Sequence, residues 1–133
     1  MVADKTSDAS GLDLANLQGH WEQVGFEADG RPEPSDELAG PGVITTIKGC
    51  RFSVRNGQGK LLLEGTFALD ASSRPKAITW TDSMGTDAGK QLPASYELDG
   101  DRFVFIAADE SAQRPQRFRT EAGQVMRSFV RVR

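Results

Sequence analysis

The chain has 133 residues, a length that suits one domain. Its formal charge of −3 gives no electrostatic reason to expect a phosphate-binding surface, so nucleic acid is not an expected partner. A single cysteine, Cys50, excludes an intrachain disulfide scaffold, and no apolar run approaches the roughly 18 residues of a membrane-spanning helix.

Residues 1–11 are small, polar and acidic. They read as a disordered tail whose removal should leave the melting temperature unaltered, with the folded domain over 12–133. The start has no apolar core of a secretory leader, so the expected compartment is the cytoplasm unless a leader has been removed. Asp13–Gln18 predicts one helical turn, with Asp13 as N-cap and Gly19 as its stop. Leu14 and Leu17, three apart, would share a face and plug one end of a barrel. An extended lead-in is the alternative.

From here the chain reads as strands and turns. The first strand is expected over 20–28, ending at Asp29-Gly30. The connection Arg31–Pro41 holds three prolines, which oppose a ladder and predict a long loop with one helical turn at Ser35–Leu38. Strands are then expected over 43–48, 51–55, 60–69, 77–81, 91–98, 102–107 and 125–132. Asn56-Gly57 and Asp99-Gly100 are hairpin signals. Gly65 lies on the apolar parity of its strand and permits the bend that a closing sheet needs. Phe103 and Phe105 alternate with Val104 and Ile106, so that strand should be covered on both faces. Sequential hairpins predict an all-β, about eight-stranded antiparallel up-and-down barrel with a short N-terminal helical turn. The late arginines, Arg114 to Arg133, read as a solvated face.

Leu17-Gln18-Gly19-His20-Trp21 and Glu27-Ala28-Asp29-Gly30-Arg31-Pro32 resemble the opening of an uncharacterised lipocalin-like bacterial family abundant in Planctomycetes. Gly65-Thr66-Phe67-Ala68-Leu69-Asp70, Pro75-Lys76-Ala77-Ile78, Gly89-Lys90 and Tyr96-Glu97-Leu98-Asp99-Gly100-Asp101 follow in that family's order, over about residues 14–133. The resemblance implies a lipocalin-like barrel and carries no activity, substrate or cofactor. The wider lipocalin pattern implies a closure device. Gly19 and Trp21 would form its first half, and Arg131 or Arg133, above the indole, its second.

Catalytic and metal chemistry find little support in these residues. His20 is the single histidine, so a metal site or a cysteine nucleophile at Cys50 lacks a partner. Glu64 and Glu97 fall on outward parities, which disfavours paired-carboxylate catalysis. No metal or cofactor is expected, and the chain reads as non-enzymatic. The aromatic set is more informative: Phe52, Phe67, Trp80, Tyr96, Phe103 and Phe105 fall on inward parities. They would form either a plain core or an apolar cup for a small hydrophobic ligand, with the Tyr96 hydroxyl as polar anchor. The alternative function is a filled barrel serving as a protein-interaction domain, with the Arg31–Pro41 loop and the Arg114–Arg119 segment as contact surfaces.

Overall fold

The computed structural model describes residues 5–32, 38 and 40–133, with side chains from residue 9 onward. Residues 1–4 of the expected tail, and the expected turn around Ser35, lie outside the described residues. The elements are α1 (Lys5–Leu17), β1 (Gly19–Ala28), β2 (Arg31–Pro32), β3 (Ile44–Lys48), β4 (Arg51–Arg55), β5 (Leu61–Asp70), β6 (Lys76–Asp82), β7 (Gln91–Asp99), β8 (Arg102–Ala107) and β9 (Val125–Arg131).

All strand pairings are antiparallel and follow chain order, and β9 returns to pair with β1 from Trp21↔Arg131 to Ala28↔Val125. The result is a closed, eight-stranded up-and-down barrel, with β2 as a two-residue stub hydrogen-bonded to the end of β1. The stub departs from the expected loop. Pro32 sits in a ladder after all, at the outer edge where its missing N–H costs no bond.

Alternation sorts the side chains. In β5, Gly65 and Phe67 are buried while Glu64, Thr66 and Ala68 are exposed. Gly65 is required by close approach: a Cβ there would run into the Thr81 carbonyl oxygen, and would stand 2.9 Å from both Asp82 Cα and Phe52 Cε1. In β1 the register shifts between Gln23 and Gly25, leaving Val24 exposed. This bulge flips the parity, so Trp21 and Gln23 point inward before it, and Phe26, paired with Arg127, does so after it.

The N-terminal helix is longer than expected. The predicted turn at Asp13–Gln18 is the end of a 13-residue helix, and Lys5–Gly11, expected to be disordered, are helical. Tertiary contact stabilises this segment where composition alone does not. Ser10 Oγ accepts from Ala71 N at 2.9 Å, and Leu17 is fully buried. Asp13 is not the N-cap. It lies within α1 and is buried, its Oδ2 accepting from the Tyr96 hydroxyl at 2.7 Å and from Lys76 Nζ at 3.0 Å. Gln18 grips the β3–β4 turn, accepting from Gly49 N at 2.6 Å and donating to its carbonyl at 3.0 Å. Every one of these partners lies at one end of the barrel, which α1 closes.

The segment 108–124 covers the outside of β6, β7 and β8. Arg114 donates to the Ile78 and Ala94 carbonyls and to Thr79 Oγ1, and Ser95 Oγ donates to the Pro115 carbonyl. Ser95 and Ile106 on that outer face are fully buried, so β8 is covered on both sides as expected. The late arginines are therefore not one solvated face. Arg114 is spent on strand backbone, Arg127 points into the barrel, and Arg131 packs on Trp21. No described helix is long and apolar enough to cross a membrane.

Candidate ligand cavity

The closed end is built from Trp21. Its indole is fully buried, and Nε1 donates to the Leu17 carbonyl at 2.9 Å, joining β1 to the end of α1. Arg131 lies across the other face, with its guanidinium carbon 4.4 Å from the ring centroid. Arg131 also donates to the carbonyls of Gln18 and Asn16 and to Asp101, so cation, ring and helix end form one unit. Gly19 leaves room for it: a Cβ at that position would stand 3.3 Å from Arg131 Nη1. Of the two arginines expected above the indole, Arg131 is the one that stacks. Arg133 is exposed, and its Nη2 donates to both carboxylate oxygens of Asp101 at 2.6 Å.

Above Trp21 the barrel is not filled. A cavity of about 220 Å³ opens between the walls, away from α1. Of the six aromatic residues expected inside, Phe52, Trp80, Phe103 and Phe105 line it. Trp80 is wedged among rings, its centroid 5.1 Å from Phe52, 5.4 Å from Phe67 and 4.8 Å from Phe105. Phe67 supports this cluster from the core and is not part of the wall. Tyr96 is the clear correction. It is buried, but its hydroxyl is committed to Asp13 beneath α1 and does not reach the cavity. Burial, together with the Asp13 hydrogen bond and charge, holds this phenol well above its ordinary range.

Gln23, Asp82, Asp87 and Arg127 also line the cavity, and the sequence reading did not select them. Gln23 and Arg127 face each other across the β1–β9 seam, Arg127 Nη1 donating to Gln23 Oε1 at 3.1 Å. The Arg127 guanidinium also lies 4.5 Å from the Phe26 ring centroid. Among the described residues, the buried Gln23 Nε2 and Trp80 Nε1 find no hydrogen-bond partner, on residues 8% and 7% exposed. Asp82 and Asp87 stand on the side away from α1. Burial raises the Asp82 carboxyl above the usual range, and the neighbouring Asp87 charge adds to the rise. Asp87 lies 3.5 Å from Lys90 Nζ. Gln23 carried a usable signal: it is two residues beyond Trp21 and so shares its face. Arg127 likewise shares the parity of Phe129.

The weaker candidates lie elsewhere. His20 is exposed, its Nδ1 2.9 Å from Thr46 Oγ1, and Cys50 is an exposed free thiol. Glu64 and Glu97 are exposed on outer faces, as expected. Glu27 holds the 108–124 segment through Thr120, whose hydrogen bonds keep its carboxyl below the ordinary range. Among the described residues, no three His, Cys, Asp or Glu side chains converge as a metal site would need. No protein family, curated protein or solved structure matches this chain.

Proposed function

We propose that this barrel is a non-catalytic, lipocalin-like binding module, akin to the bacterial proteins whose opening its sequence resembles, and that it holds a small hydrophobic molecule in its interior. The observation that carries this reading is the apolar cavity of about 220 Å³ between Trp21 and the open end. Cavities of about 150 Å³ hold a benzene ring, whereas drug-sized ligands occupy roughly 300–1,000 Å³. The occupant is therefore small: a substituted single ring or a short branched chain. A closed floor, rigid aromatic walls and one open end suit such a guest without large rearrangement. The filled-barrel alternative is disfavoured by that open interior, and Arg114, the first residue of one of its two expected contact surfaces, is engaged with the barrel's own backbone.

Native mass spectrometry of freshly purified protein, followed by a thermal-shift screen against small aromatics, fatty acids and haem, tests the reading. A co-purifying small molecule, or a dose-dependent rise in melting temperature with a small aromatic, is the expected result. A clean apo mass with no shift across the screen would overturn it.

A further inference from the structure

Asp82 sets the charge of this cavity. It lies two residues beyond Trp80 on β6 and so shares its inward face. Directly opposite on β5 is Gly65, which puts no side chain beside it. Asp82 is half-buried and lines the cavity, and among the described residues its carboxylate makes no hydrogen bond or ion pair. A carboxylate drawn partly out of water without a partner costs free energy, which a cation beside it offsets.

The charges around Asp82 do not supply that cation. Asp87, on the 83–90 connection, also lines the cavity, and it is the acid that Lys90 Nζ approaches, at 3.5 Å. Arg127, on β9, is directed to Gln23 Oε1 at 3.1 Å and to the Phe26 ring. The influences on the Asp82 carboxyl are burial and the Asp87 charge, and both raise it. A bare metal ion suits the place poorly: it asks for an oxygen-rich shell, and among the described residues no third acidic, His or Cys side chain joins this pair. The rest of the wall here is apolar, with Phe52, Trp80, Leu92 and Phe105. A guest that matches both features carries positive charge at one end and hydrocarbon at the other. We infer that the ligand is a small organic cation, an apolar amine whose ammonium pairs with Asp82 while its hydrocarbon body fills the aromatic cavity. This rests on the binding reading above and adds the chemical class.

Benzylamine, benzyl alcohol and ethylbenzene have equal heavy-atom counts and differ in one terminal group: ammonium, hydroxyl or methyl. Calorimetry with the full chain at pH 7 is expected to show benzylamine binding about tenfold more tightly than either neutral probe, the scale of a charge-assisted hydrogen bond less some desolvation. Benzoate should bind least. Methylammonium, a cation with no ring, should show no measurable binding. In Asp82→Asn the preference for benzylamine should collapse while ethylbenzene binding persists; in Asp87→Asn it should shrink by less. If Asp82→Asn fails to fold, the carboxyl carbon resonance of Asp82 in the unaltered protein decides. Saturating benzylamine should lower the pH at which that resonance titrates, and ethylbenzene should not. An unmoved titration would overturn the pairing with Asp82, as would a preference for benzylamine that survives in Asp82→Asn. Equal affinity for benzylamine and ethylbenzene would overturn the inference and leave hydrophobic binding intact. Methylammonium binding as tightly as benzylamine would put the cation on the surface and overturn it too, and tightest binding of benzoate would reverse the sign of the ligand. Silence from every ring-bearing probe, together with an empty thermal-shift screen, would overturn the binding reading and the inference with it.

Discussion

Asp13 ties the helix to the barrel through one carboxylate shared by a phenol and an ammonium. The two sides of that arrangement are not equivalent. Tyr96→Phe removes a donor but leaves Asp13 paired with Lys76, so the expected cost is about 1 kcal/mol. Asp13→Ala leaves the buried Tyr96 hydroxyl without an acceptor and should cost more, about 2–3 kcal/mol. Urea denaturation of the two variants checks the order, and an equal cost would show that the phenol finds another partner. Asp82 makes a prediction about pH. Its folded value is raised, so protonation favours the fold. That contribution is present below the unfolded value of about 3.9 and is lost as pH rises through the higher folded value. Asp82→Asn does not titrate, so its melting temperature should gain on the parent from pH 3.5 to pH 7. A constant gap across that range would contradict the raised value. The contact on Trp21 was expected through the lipocalin resemblance, whose Gly-x-Trp pattern sets the indole beneath an arginine of the last strand; Arg131 and Arg133 share one parity, so the choice of Arg131 came only with the structure. Asp13 was misread because its partners lie 63 and 83 residues away, where local capping chemistry gives no sign of them.

At the level of elements, each barrel strand was legible because a half-buried strand must alternate and must end at a turn. Punctuation was harder to read. Asn56 does close a hairpin, but through an extended loop in which its Oδ1 accepts from Gln58 N and Lys60 N. The bulge at Val24 was invisible, since nothing local marks the register slip that only the pairing with β9 imposes. The start of α1 was also hidden. Its sequence is polar and its apolar face narrow, and its order comes from the barrel end it covers. Removing residues 1–11 therefore removes the Ser10–Ala71 hydrogen bond and the first turns of a docked helix. The melting temperature should fall by about 2–5 °C. Ser10→Ala should reproduce part of the fall. An unchanged melting curve for the shortened chain would return these residues to the role of a tail.

On the scale of the whole molecule, the barrel is asymmetric along its axis. One end is sealed by α1, the Trp21–Arg131 stack and three short turns. The other end carries the long connections 83–90 and 108–124. Material removed from the core is concentrated in one place between them, so stability and binding can be separated by a single side chain. Ala107 lies at the end of β8, buried, and lines the cavity. Ala107→Leu adds three carbons directed into existing space. Each buried methylene contributes about 0.8 kcal/mol where it fits, against about 1–3 kcal/mol for overpacking where it does not. With open volume beside it, the variant should melt no lower than the parent. It should also lose affinity for any small aromatic that the thermal-shift screen finds, because the space such a molecule occupies is gone. A variant that melts as expected yet binds that molecule at parental affinity would move the ligand out of the barrel and onto the surface. A variant that melts several degrees lower would instead mean that the walls around Ala107 are already closed in solution.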